Sequence, residues 1–85
     1  MKESSMEMNR VTVFLRTNLF SFSGPEKHVP SGVMVIEGHV IEQNAIGITI
    51  ETDHLLDDRG RILSEASLKL VLPHAKIDHM LLLEG

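Results

Sequence analysis

There is no cysteine in the 85 residues, and neither tryptophan nor tyrosine. The first absence removes disulfides and thiolate zinc sites as sources of stability. The second leaves three Phe as the whole aromatic content, little material for a base-stacking platform on a sheet face. Positive charge is also scarce: eight Lys and Arg against twelve Asp and Glu give a net charge of −4. No global field therefore draws the chain to phosphate backbones or anionic membranes. Long apolar runs are missing too. The longest stretches without a charged residue, Thr17 to Pro25 and His28 to Ile36, are nine residues each, far below the roughly 20 a membrane-spanning helix needs. The opening MKESSMEMNR is polar and acidic where a signal peptide has a basic start and an apolar centre. Together these features predict no membrane partner and a reducing, cytoplasmic setting.

What is present is enough for one small fold. The chain is 42% hydrophobic with no low-complexity tract, so it has the apolar material to form a globular domain. Ordering costs about 1.5 kcal/mol per residue, which burial in so small a domain barely offsets. With disulfides excluded, oligomerisation or unusually good packing is left as the supplement, and oligomerisation is the expected one.

Seven Val, seven Ile and four Thr favour strands, because β-branched side chains suit a pleated surface better than a helix. Residues 1–10 carry no sustained apolar stripe and read as a flexible arm or short helical turn; 11–85 read as the domain. Val11 to Arg16 alternates, with Val11, Val13 and Leu15 facing a core. Thr17 to Gly32, with two of the three prolines, reads as a long ordered loop with room for a short extra strand around Phe20 and Phe22. Val33 to Gln43 is a second strand whose interior Gly38 marks a bend or a close backbone approach. Ile46, Ile48 and Ile50 alternate with Gly47, Thr49 and Glu51, the clearest period-two signal in the chain. Asp57-Asp58-Arg59-Gly60 supplies a turn, and a glycine able to take positive φ, for a hairpin between Leu55-Leu56 and Ile62-Leu63. A short helix over Ser64 to Leu70 competes with that reading. Leu68 to Leu72 alternates until Pro73, a tight turn passes through His74 and Ala75, and Ile77 to Leu83 forms the last strand. Its end, Met80-Leu81-Leu82-Leu83, is apolar on both faces, an adhesive edge that predicts a neighbouring copy.

No chemistry-bearing constellation stands out. The five histidines, at 28, 39, 54, 74 and 79, lack the spacing of a metal site. Asp53, Asp57 and Asp58 lack the alternating donors and closing Glu of a calcium loop and read as a solvated turn. No phosphate-cradling glycine loop and no nucleophile elbow is present. The chain is therefore expected to be neither an enzyme nor a cofactor or metal binder.

Five strands, a bent second strand with an internal glycine, and a short turn between the last two describe a small, strongly bent antiparallel barrel of SH3 type. At this point the chain resembles the Sm-like family (Sm, LSm and bacterial Hfq proteins). The stretch Gly38-His-Val-Ile-Glu-Gln-Asn-Ala-Ile-Gly-Ile-Thr-Ile-Glu51 is similar to the family's first motif, with Asn44 where the family carries Asp six residues after the strand glycine. Leu70-Val-Leu-Pro-His-Ala-Lys-Ile77 is similar to the second, its His74-Ala75 matching the His-Ala pair of Hfq. The resemblance spans Val11 to Leu83. It implies an all-β five-stranded barrel, with the family's N-terminal helix short or absent here, in a homo-oligomeric ring of about five to seven copies. It also implies single-stranded RNA as ligand.

Ring closure in that family joins the fourth strand of one copy to the fifth of the next, giving an interface of Leu68, Leu70, Leu72, Ile77, Met80, Leu81, Leu82 and Leu83. The RNA pocket would fall on Asn44, Ile46, His74 and Lys76. Departures are clear: Ile46, Ile48 and Pro73 stand where the family has a stacking side chain, an Asn and an Arg or Lys. An oligomeric structural or protein-interaction module that binds no RNA is the competing reading.

Overall fold

The computed structural model describes residues 10–83, all β apart from one short turn of 3-10 helix. The strands are β1 (Arg10–Leu15), β2 (Phe22–Ser23), β3 (His28–Val29), β4 (Val35–Gln43), β5 (Gly47–Leu56), β6 (Ile62–Ser64), β7 (Lys69–Pro73) and β8 (Ile77–Leu83). The expected N-terminal arm lies outside the described residues except for Arg10, which opens β1. No helix among the described residues is long and apolar enough to cross a membrane.

One antiparallel sheet carries six of the strands, in the order β6-β5-β4-β1-β8, with β7 on β5 alongside β6. β2 and β3 form a separate two-stranded arm. The main sheet cannot be flat. β7 and β8 are separated by β5, β4 and β1, four strand spacings or roughly 19 Å in a plane. Yet only the 3-10 turn His74–Lys76 links them, and such a turn advances about 2 Å per residue. The sheet curls until its two rims approach across one end. Among the described residues no ladder joins β7 to β8, so the curl remains open where the sequence predicts a barrel.

Alternation decides which side chains fill the curl. Val11, Val13 and Leu15 of β1, Ile36 of β4, Ile48, Ile50 and Leu55 of β5, and Leu72 and Ile77 of the last two main strands form one buried cluster, with Val33 and Leu68 closing it. Each such side chain contributes about 1.5–3 kcal/mol relative to exposure. Gly38 sits where β4 crosses β5 most closely: a Cβ there would lie 2.2 Å from the Glu51 carbonyl oxygen. The register shifts beside it, between Glu37 and Gly38, and this bulge bends the strand. The bulge also lets β5 run on to Leu56, pairing Thr52, His54, Leu55 and Leu56 with β4, well beyond the Ile46–Glu51 alternation.

The Asp57–Gly60 turn is as expected, with Gly60 at φ +84°. The competing helix over Ser64 to Leu70 is not formed. Buried Thr52 captures the segment instead: its hydroxyl donates to the Ala66 carbonyl at 2.8 Å and accepts from the Leu68 N–H at 2.9 Å. Those backbone groups would otherwise serve a helix.

The residues expected at a subunit interface divide. Leu68, Leu72 and Ile77 are buried in the chain's own core, and Leu70 and Met80 pack half-buried against it. Alternation points Leu68, Leu70 and Leu72 into the curl, and the register shift of β8 opposite Phe14 and Leu15 lets Ile77 and Met80 both face it. Leu81, Leu82 and Leu83 remain exposed, as does Val71 on β7.

Candidate functional site

The turn from β4 into β5 is built by Asn44. Its Oδ1 accepts from the backbone N–H of Ile46 at 2.9 Å and of Gly47 at 3.1 Å, and its own N–H donates to the Gly47 carbonyl at 3.0 Å. An asparagine side chain that folds back on the amides two and three residues ahead fixes the turn much as backbone would. Ile46 is thereby presented outward, 74% exposed.

His74, thirty residues on, closes over this turn. Its backbone N–H donates to the Ile46 carbonyl at 3.0 Å, and its ring Nε2 lies 2.9 Å from the Asn44 carbonyl oxygen. A carbonyl only accepts, so Nε2 carries the proton and, in the neutral ring, Nδ1 is left as an acceptor. Asn44, Ile46 and His74 thus form one surface cluster: an apolar side chain in the open beside an imidazole locked in one tautomer. The Asn44 carboxamide oxygen is spent on its own turn.

Lys76 does not join them. Its ammonium donates to the Thr17 hydroxyl at 2.6 Å and to the Asn18 carbonyl at 3.0 Å, and its carbonyl accepts from the Arg16 N–H at 2.9 Å. The His74–Lys76 turn therefore faces two ways, toward the Asn44 turn at its start and toward the root of the β2–β3 arm at its end. Of the positions where the resemblance places pocket residues, Ile48 lies in the core and Pro73 on the exposed edge.

Several other titratable side chains pair with one another. His54 Nδ1 lies 3.1 Å from Glu37 Oε1 and His39 Nδ1 3.6 Å from Asp53 Oδ2, both across β4 and β5. His79 Nδ1 lies 2.9 Å from Asp78 Oδ2, and its ring stacks on Phe14 with centroids 4.4 Å apart. Among the described residues no three His, Asp or Glu side chains gather as a metal site. Asp57 holds the β5–β6 turn, accepting from the N–H groups of Arg59 and Arg61 and from the Arg61 guanidinium at 2.8–2.9 Å.

The alternating pattern gave no hint of one further feature. Phe20 is 95% and Phe22 58% exposed, although both read as members of an apolar half-strand. Their isolation in a proline- and glycine-bounded loop is the only sequence signal for it. No family model, curated protein or solved structure matches the chain.

Proposed function

We propose that the chain is a subunit of an Sm-like homo-oligomeric ring that binds single-stranded RNA. One observation carries the assembly: β7 and β8, the fourth and fifth strands of the main sheet in chain order once the short β6 is set aside, occupy its two opposite rims. Among the described residues each has strand pairing on one side only, and each carries exposed aliphatics, Val71 on β7 and Leu81 to Leu83 on β8. A β7-to-β8 joint between copies covers both of these edges, whereas a two-fold β8-to-β8 pair leaves every β7 edge open. Such a joint uses the backbone of both edges, so it is compatible with Leu68, Leu72 and Ile77 keeping their side chains in the core. The finer reading of the curled sheet as a bent barrel belongs to the same proposal.

The RNA reading is supported by the Asn44, Ile46 and His74 cluster and by the motif resemblance. Repetition around a ring multiplies weak contacts by avidity. The competing reading, a ring or scaffold that binds protein and no RNA, is favoured by the engagement of Asn44 and His74 with each other and by the charge of −4. Native mass measurement and titration with labelled U-rich and A-rich RNA at two salt concentrations decide between them. The proposal expects a multiple of 9.5 kDa and salt-dependent binding weakened by Asn44→Ala and His74→Ala. A single-chain mass at micromolar concentration overturns the ring; a ring that binds neither RNA at tens of micromolar leaves the scaffold.

A further inference from the structure

We infer that the β2–β3 arm supplies the base-stacking surface for single-stranded RNA, an inference that rests on the RNA reading above. The cluster at Asn44 offers no phenyl ring, and its one imidazole, His74, is tied through Nε2 to the Asn44 carbonyl. Phe14 is taken by its stack with His79, so Phe20 and Phe22 are the only phenylalanines free on the surface among the described residues.

Phe22 opens the arm and Phe20 precedes it by two residues. Phe22 pairs with Val29 and Ser23 with His28, and the tip is closed by the Gly24 N–H on the Lys27 carbonyl at 2.8 Å. The Phe22 ring folds over Gly24, where a Cβ would lie 2.8 Å from it. Alongside runs a cleft of about 380 Å³ lined by Ser21 to Ser23 and His28 to Ser31. One aromatic face beside three hydroxyls and an imidazole suits a nucleobase, which needs a flat apolar contact and hydrogen-bonding groups at its edges. A greasy protein segment would leave those hydroxyls facing apolar surface.

The arm is also placed to act with the first cluster. Lys76 ties down its root at Thr17 and Asn18, and Leu19 N–H bonds the Val33 carbonyl at 3.1 Å. The same His74–Lys76 turn therefore contacts the Asn44 turn at its start and the root of the arm, Thr17 and Asn18, at its end.

The chain has no tryptophan, so Phe20→Trp creates a single fluorescent reporter at an exposed site. With fluorescein-labelled oligo(U) and oligo(A), anisotropy of the wild-type chain and quenching in the Trp variant are expected to titrate together. Phe20→Ala and Phe22→Ala are each expected to weaken binding roughly tenfold, with melting temperature unchanged. Phe20→Leu and Phe22→Leu keep the apolar area without a ring and are expected to lose as much.

Full affinity in the Leu variants means greasy contact and overturns the stacking role. RNA binding that the arm variants leave intact, while Asn44→Ala and His74→Ala reduce it, overturns the inference and spares the RNA reading. Absence of binding in the wild type overturns both. A change in native mass without a change in RNA affinity assigns the arm to a second copy.

Discussion

Thr52 and Leu68 hold each other from both directions: the Thr52 N–H donates to the Leu68 carbonyl at 2.8 Å, and the Leu68 N–H donates to the Thr52 hydroxyl at 2.9 Å. The hydroxyl's own proton goes to Ala66. Both residues are buried, so replacing Thr52 by Val keeps the shape and strands the Leu68 N–H without a partner. The expected cost is about 1–3 kcal/mol, read as a fall of several degrees in melting temperature. Thr52→Ser, which keeps the hydroxyl, is expected to lose less than Val does.

Gly38→Ala tests the crossing of β4 over β5. A methyl 2.2 Å from the Glu51 carbonyl and 2.9 Å from the Thr52 Cα meets backbone on every near side, which no rotamer change relieves. We expect a loss of about 1–3 kcal/mol or more, measured as a lowered denaturant midpoint.

Asp57 sets an acid limb on stability. The Arg61 N–H does most to hold its carboxyl below the ordinary value of 3.8; partial burial pushes the other way, and the Arg59 N–H and the Arg61 guanidinium lower it further. Because the folded value is depressed, this stabilisation is fully present above the unfolded value and is lost as pH falls through the folded one. Urea midpoints of wild type should therefore drop between pH 5 and 2. In Asp57→Asn, which cannot titrate, the drop should be shallower and the midpoint at pH 6 lower.

Asn44→Ala removes the acceptor shared by two amides. Since the turn is largely exposed, water replaces much of what is lost, and we expect about 0.5–1.5 kcal/mol. The sharper readout is amide hydrogen exchange: Ile46 and Gly47 should exchange faster in Asn44→Ala and stay protected in Asn44→Asp, whose carboxylate still accepts.

How much of this was legible in the chain depends on the range of the interaction. Ile46, Ile48 and Ile50 announce β5 by alternation, and Asp57 to Gly60 announce their turn, because both signals act over a few residues. The extension of β5 through Asp53-His54-Leu55-Leu56 has no period-two pattern, since the bulge at Gly38 changes which residue faces which. The helix over Ser64 to Leu70 was a sound local preference that one distant hydroxyl, on Thr52, overrides. At the candidate site, the motif resemblance placed Asn44 and His74 together across thirty residues, while spacing alone did not. It also placed Lys76 with them. The bond from Lys76 to Thr17, fifty-nine residues away, has no sequence signature, and the exposure of Phe20 and Phe22 is signalled only by their place in a proline- and glycine-bounded loop.

The link His74–Lys76 is fastened to Ile46 at one end and to Arg16 at the other, so the two rims of the sheet are yoked by three residues. Neither can swing without the other. If copies join rim to rim as proposed above, the angle between one copy and the next follows from the angle between those rims, and a residue inserted into or deleted from the yoke is expected to alter it.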